Sequence, residues 1–390
     1  MMATLTAAED KSNQVVLLER QQRVGRKLLA TGNGRCNLTN LNASPAHYHG
    51  EQPDFVRSAL RQLPPTETLA LFRSFGLLTV TEDSGRVYPL SDSASSVLDV
   101  LRFQLARRGV ELRCASPVRE IRREQAGFSV HGEWESFAAD RLIVACGGAA
   151  GRKLGGVNDG YVLLAPLGHA RTKLYPSLVQ LVTDPDYPRA LKGVRADAAL
   201  RLLRGGDCLA ETRGEVQFTE RGISGPAIFE LSRAASTGGE GLVLALDFLA
   251  DYTAAQLRAL LIDRRDTLPD LDAAELLTGL VHNRLGKMLL RYGGLKAKET
   301  VGRLGDRELA RAAEACKDFR LSIRGTEGFD SAQVTAGGLR TADFDPETMQ
   351  SRLVPGLYVC GELLDVDGDC GGYNLQWAWA SGRLAGRLLP

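Results

Sequence analysis

Three short apolar runs, each closing on an acid or on small residues, constrain this chain more than any other feature. Gln14–Glu19 (QVVLLE) is a nearly continuous apolar run ending in a carboxylate, Arg141–Gly148 (RLIVACGG) ends in two glycines, and Gly356–Cys360 (GLYVC) leads directly into Gly361 and Glu362. Runs of this kind read as strands of a parallel sheet covered on both faces. Met1–Glu9 (MMATLTAAE), ahead of the first run, reads as helix interior, because Ala, Met, Leu and Glu dominate and no capping residue comes first. A helix feeding a buried strand is half of a βαβ unit, so an α/β fold is expected.

The rest of the chain changes character twice. Pro64–Phe75 and Ser93–Arg108 have helical spacing, the second with a Ser cap and a basic end. Strands are expected near Val110–Cys114 and Val118–Arg122, and a hairpin-like pair around Gly127–His131 and Glu133–Phe137. From about Arg171 to Asp251, short alternating runs such as Ala198–Leu203, Glu215–Thr219 and Gly241–Asp247 suggest antiparallel β structure. Thr253–Lys317 is helical again, Phe319–Ile323, Val334–Gly338 and Gly356–Cys360 read as strands, and Leu375–Leu388 closes the chain as a helix.

Composition narrows the classes. With 48 Lys+Arg against 47 Asp+Glu, no overall charge draws the chain to nucleic acid or an anionic membrane. Nucleic acid is therefore not an expected partner, and a small-molecule substrate is. No apolar run reaches the roughly 18 residues that span a bilayer, so no membrane association is expected. The 7 cysteines are odd in number and form no C-x-x-C pair, which argues against a disulfide scaffold or zinc ribbon and fits a reducing cytoplasm. The oligomeric state is left open.

Several segments could carry chemistry. Glu19 stands where an acid accepts hydrogen bonds from the ribose of an adenine dinucleotide, or simply terminates a strand. Gly25–Asn40 (GRKLLATGNGRCNLTN) is too polar for core and too rich in glycine for a stable helix, and is expected to be a loop. Its Arg26, Lys27 and Arg35 offer cations to a pyrophosphate or a flavin edge, or form a solvated basic loop. Ala145, Cys146, Gly147 and Gly148 form a small-residue turn that lets a cofactor approach the backbone, though a plain tight turn reads the same. Gly361, Glu362, Asp365, Asp367, Gly368, Gly371, Gly372, Tyr373 and Asn374 place carboxylates and bare amides between a strand end and a helix N-terminus, which suits a polyol and an electron-accepting ring. Metal ligation is not expected, because the pattern of a calcium loop is missing. His169 and His282 have no nearby ligand partners in sequence and read as ordinary structural or surface residues.

Gly25–Asn40, Thr219–Pro226 (TERGISGP), Thr335–Gly338 (TAGG) and Gly361–Gln376 (GELLDVDGDCGGYNLQ), in this order, resemble the BaiN/YhiN-like, or aminoacetone-oxidase-like, family of FAD-dependent NAD(P)H oxidoreductases. The likeness covers nearly the whole chain. It implies a Rossmann-like FAD-binding domain of the two-dinucleotide-binding type, built from residues 1–170 and 319–390. A β-rich domain (171–252) and a small helical domain (253–318) interrupt it. It also implies FAD as cofactor and NAD(P)H as electron donor. Residue by residue, Glu19 would bind the adenosine ribose, Arg26 and Lys27 would sit near the phosphates, and Arg35, Cys36 and Asn37 would line the flavin side. Val118 would meet the adenine through its backbone, and Ala145–Gly148 would pass close to the dinucleotide. Glu362 and Asp365 would face the ribitol and pyrophosphate, with Gly361 beside them, and Gly372, Tyr373, Asn374 and Leu375 would present amides to the isoalloxazine ring. Amides there would stabilise the reduced, anionic flavin.

One departure stands out. The family's fold opens with a strand and a G-x-G-x-x-G turn, and nothing of that kind precedes Gln14; residues 1–13 match the later part of the first helix. A misplaced start codon is the expected explanation, with a truncated or decayed copy as the alternative. Two other functions remain beside the flavin oxidoreductase. One is a flavin-free scaffold on the same fold, and the other an FAD protein acting on tRNA, since flavoproteins of this fold modify it. Catalytic side chains are not assigned by the sequence.

Overall fold

The computed structural model describes residues 1–295 and 299–389 and divides the chain into two compact units. One is built from Met1–Tyr175 and Phe329–Pro390, the other from Pro176–Gly328.

In the first unit the expected parallel strands form two ladders. Val16–Leu18 pairs with Glu111–Arg113, Val16 opposite Glu111, and Leu142–Val144 pairs with Leu357–Val359, Leu142 opposite Leu357. Full burial on both faces holds only for Leu357–Val359; Val16–Leu18 is half-buried throughout. Val118–Arg123, Phe128–Gly132 and Ser136–Ala139 form the expected antiparallel meander.

The closing helix, Tyr373–Gly386, is the axis of this unit's core. Most of its apolar side chains are buried, and its buried polar ones are hydrogen-bonded, as such groups must be. Trp377 Nε1–H donates to the Gly361 carbonyl at 3.1 Å and Trp379 Nε1–H to the Leu38 carbonyl at 2.9 Å. Gln376 accepts from Thr39 Oγ1–H at 2.6 Å and donates to the Leu63 carbonyl at 2.7 Å. The helix Met2–Ala7, buried at every position, packs against the same helix. These contacts correct the loop expected over Gly25–Asn40. Arg26–Ala30 is a short helix, Thr39–Asn40 pairs with Arg86–Val87, and Leu28, Cys36 and Leu38 are core residues.

The second unit is a closed barrel of six strands in the order Leu181–Thr183, Gly222–Ser224, Asp207–Phe218, Arg195–Arg204, Leu242–Asp247 and Phe319–Thr326. The helices Pro226–Thr237, Ala254–Thr267, Asn283–Tyr292 and Asp306–Lys317 share its core. Expected boundaries at 252 and 318 therefore differ from the observed packing: helices and barrel bury one another's apolar faces. Phe319–Thr326 stays in the barrel by pairing with Val243–Leu246, and the chain returns to the first unit only at Phe329. Residues 296–298 of the expected helical module lie outside the described residues.

Candidate functional site

The strand ends of the first unit bring most of the expected residues together. The Glu19 N–H donates to the Arg113 carbonyl at 2.8 Å, and its carboxylate accepts the Gln21 N–H at 2.8 Å, so the acid is held at the end of its strand. Beside it, Leu18, Ser116, Pro117, Val118 and Trp134 line a narrow cleft. Arg26 extends over the same turn, donating to Gln21 Oε1 at 2.7 Å and to the Lys153 carbonyl at 3.0 Å.

Lys27 and Glu362 meet across 335 residues of chain. Lys27 Nζ lies 2.5 Å from Glu362 Oε2, while Glu362 Oε1 accepts the Thr335 N–H at 2.9 Å. Thr335 Oγ1 in turn accepts the Ala150 N–H at 2.9 Å. Gly148 lies against this array so closely that a Cβ would stand 2.4 Å from Thr335 Oγ1 and 2.9 Å from Glu362 Oε1. Ala145 and Cys146 are exposed just before it. The Met1 amine approaches the same strand ends. Burial pushes it below its ordinary value, against the opposing influence of Cys360 and Glu19.

A second cluster surrounds the start of the closing helix. Cys36 is fully buried, its N–H donates to the Thr31 carbonyl at 3.0 Å, and burial pushes its thiol up to about 11. It therefore packs as a small hydrophobe. Asn37 Oδ1 is buried without a hydrogen-bond partner. It faces Gly372, where a Cβ would stand 2.7 Å from that oxygen. Asn374 closes the preceding turn by accepting the Gly368 N–H and donating to the Gly368 carbonyl, both at 2.8 Å. Leu375 is half-buried against the core.

Two expected residues have other engagements. Arg35 binds Asp92, reaches Glu82 at 3.4 Å and lies 4.0 Å over the Tyr88 ring. Asp365 is 3% exposed, and its carboxylate accepts the Glu51 N–H at 2.9 Å. Of the two histidines read as structural, His169 is buried with Nε2 3.0 Å from Ser351 Oγ, and His282 caps a helix by accepting the Arg284 N–H at 3.2 Å.

Sequence reasoning missed Thr335 as a member of the array, and it missed His47, His49 and Asp369. His47 Nδ1 lies 3.0 Å and His49 Nε2 2.7 Å from the two oxygens of Asp369, and the His47 ring stacks on Tyr373. The available signal was the close pair His-Tyr-His, which sits where the 3-10 turn Pro45–His47 passes into the strand Tyr48–His49.

Glycines at strand ends, a carboxylate after the first strand and cations in the following turn define a Rossmann-type nucleotide-binding protein of the flavoenzyme class. Residues 1–388 match the HI0933-like protein Rossmann domain, and the chain belongs to that family of FAD-dependent oxidoreductases. The chain is 42% identical over 388 residues to the 3-dehydro-bile acid delta(4,6)-reductase of Clostridium scindens, covering 99% of this chain and 95% of that protein. It is 29% identical to the ribosomal RNA dihydrouridine synthase of Escherichia coli, covering 96% and 91%. Among solved structures, the 3-ketosteroid delta1-dehydrogenase of Sterolibacterium denitrificans matches at 14% identity and a TM-score of 0.48, over 99% of this chain and 96% of that one. No described helix is long and apolar enough to cross a membrane.

The groups present fit FAD. The cations of Arg26 and Lys27 match the charge of its phosphates, and the carboxylates of Glu19 and Glu362 have the acceptor chemistry its hydroxyls require. The crowding at Gly148 and the orphaned Asn37 Oδ1 beside Gly372 mark backbone cradles that side chains would fill.

Proposed function

We propose that this chain is a flavin-dependent reductase that oxidises NAD(P)H and reduces a carbon–carbon double bond conjugated to a carbonyl in a small organic acceptor. When bound, FAD supplies the two-electron transfer between donor and acceptor. The chain's own residues bind and orient. Lys27 neutralises phosphate charge, Glu19 and Glu362 accept hydroxyl hydrogen bonds, and the N-terminal amides of Tyr373–Gly386 put partial positive charge near the electron-accepting ring. The single observation that carries the cofactor assignment is the Lys27–Glu362–Thr335 array closing on Gly148.

The acceptor class rests on what the names of two relatives share. A delta(4,6)-reductase of a 3-dehydro-bile acid and a dihydrouridine synthase both saturate a double bond polarised by a carbonyl. The greater identity to the first favours a small free acceptor, and the balanced charge of 48 Lys+Arg against 47 Asp+Glu agrees. Reduction of a uridine within RNA is the second reading, favoured by the name of the Escherichia coli relative.

The test is anaerobic. Protein saturated with FAD should lose its visible flavin absorbance on adding NADPH or NADH, and regain it on adding a 3-oxo-4,6-diene bile acid. Reoxidation by unmodified ribosomal RNA and not by the bile acid would move the assignment to the second reading. Absence of any bleaching by either nicotinamide would refute the donor. Protein that shows no FAD-induced rise in melting temperature would be the flavin-free scaffold.

A further inference from the structure

His47 ends the 3-10 turn Pro45–His47 and His49 lies in the strand Tyr48–His49, and their rings reach the two oxygens of one carboxylate. Pairing of Tyr48–His49 with Asp367–Gly368 fixes this geometry, together with a 3.0 Å bond from the Asp369 N–H to the His47 carbonyl. The His47 ring stacks on Tyr373 with centroids 4.3 Å apart and planes 17° from parallel. Tyr373 begins the closing helix. The three side chains are about one-third exposed (33%, 35% and 37%), so water reaches the array.

The carboxylate dictates the tautomers. An ionised carboxylate only accepts, so each ring nitrogen that faces it carries a proton. His47 is therefore held as Nδ1–H and His49 as Nε2–H, leaving Nε2 of His47 and Nδ1 of His49 to gain or lose a proton. Burial pushes the Asp369 carboxyl up, but hydrogen bonds from His49 and His47 outweigh burial and hold it below its ordinary value, so it is ionised at neutral pH. Burial pushes the Tyr48 phenol up, and its O–H donates to the Tyr373 carbonyl at 3.0 Å, so it stays neutral. Nearby Asp365 is committed to the Glu51 N–H, and Glu51 pairs with Arg340 at 3.4 Å. Asp367 is fully buried on the paired strand, and Cys370 and Tyr373 follow Asp369 in the chain.

We propose that the His47–Asp369–His49 array is the proton source for acceptor reduction, with His47 the donor and Asp369, itself held by His49, the residue that positions it. This rests on the flavin-reductase reading above, with the electron-accepting ring at Gly372–Leu375. Saturating a double bond conjugated to a carbonyl consumes two electrons and two hydrogens. One hydrogen and the electron pair originate in NAD(P)H and arrive through the reduced cofactor at the carbon remote from the carbonyl. The Nε2–H bond of the His47 imidazolium breaks, and that proton ends on the carbon next to the carbonyl. The π bond is lost, NAD(P)+ is formed, and solvent reprotonates Nε2 of His47.

Two measurements test this. In protein labelled with ¹⁵N at its 5 histidines, ring spectra should show His47 as the Nδ1–H tautomer and His49 as Nε2–H above neutral pH. Asp369→Asn should abolish that preference. The opposite tautomers in the parent protein would overturn the assignment without reference to activity. In the FAD-loaded protein, His47→Asn keeps a donor toward Asp369 but removes the titratable ring. Bleaching by NADPH should stay within about twofold of the parent, while reoxidation by the 3-oxo-4,6-diene bile acid slows at least about 100-fold, the lower range for loss of a general acid. The fall of the parent's reoxidation rate with rising pH should also disappear. Equal reoxidation rates and pH profiles in parent and variant would overturn the proton-source role. A parent that does not bleach would instead refute the flavin-reductase reading, and one that bleaches but leaves the bile acid unreduced would refute the acceptor class and the proton role with it.

Discussion

Substituting Gly372 by alanine tests the approach on which the second cluster depends. The residue has φ +99°, and a Cβ there would stand 2.5 Å from the Thr39 carbonyl oxygen, 2.6 Å from the Thr39 carbonyl carbon and 2.7 Å from Asn37 Oδ1. Two costs follow. A left-handed conformation costs an L-residue about 1–2 kcal/mol. Forcing a methyl against backbone costs about 1–3 kcal/mol more, because the segment 37–39 cannot yield by a rotamer change. The sum is about 2–5 kcal/mol, or roughly 4–20 °C in melting temperature for a unit of this size. Gly76 supplies the control, since its φ of +95° is nearly the same but no atom lies within 4 Å of its Cβ position. Gly76→Ala should therefore cost only the first contribution, about 1–2 kcal/mol. Urea denaturation of both variants isolates the clash as the difference. The same pair reports on the cofactor: FAD should still raise the melting temperature of Gly76→Ala and lose most of that effect in Gly372→Ala. If Gly372→Ala is no less stable than Gly76→Ala, segment 37–39 does not lie against the start of the closing helix, and the cradle argued for the ring is wrong.

Lys27→Met should weaken FAD binding about tenfold, near 1.4 kcal/mol, while shifting the melting temperature of the cofactor-free protein little, because a half-exposed ion pair contributes at most about 1 kcal/mol; an unchanged dissociation constant by calorimetry would remove Lys27 from the phosphate site. The Asp369 carboxyl lies below its ordinary value in the folded chain, so its stabilisation is complete above the unfolded value of about 4 and is lost as pH falls through the lower folded value. The stability gap between the parent and a His47→Leu, His49→Leu double variant should accordingly close as pH falls from about 5 to about 2, and a gap that stays constant in acid denaturation curves would contradict the pairing. Phe319→Ala should cost the barrel about 3–5 kcal/mol, because this fully buried ring lies 4.8 Å from Tyr292, 5.5 Å from Tyr187 and 6.0 Å from Phe248; a loss below about 1 kcal/mol in urea would mean the cluster is not packed.

What the sequence made legible was local, and what it hid was the identity of distant partners. Apolar runs ending in glycine or acid announced Val16–Leu18, Leu142–Val144 and Leu357–Val359 because burial and turn chemistry are written within a few residues. Phe319–Thr326 was equally legible as a strand, yet an apolar run reads the same whichever sheet it joins. Only its pairing with Val243–Leu246 assigns it to the barrel. Gly25–Asn40 reads as loop because its glycines and cations dominate the composition, and Leu38 becomes core only by packing in a cluster drawn from the whole unit, with Trp379, 341 residues later, donating to its carbonyl. His47 and His49 stayed silent for the same reason, since their meaning comes from Asp369, 322 and 320 residues away. Lys27 and Glu362 are separated by 335. The Lys27–Glu362, His47–Asp369 and His49–Asp369 contacts thus join the beginning of the first unit to its end, so these parts of the candidate site exist only once both segments have docked. FAD bound at the proposed site should stabilise that docking rather than either segment alone.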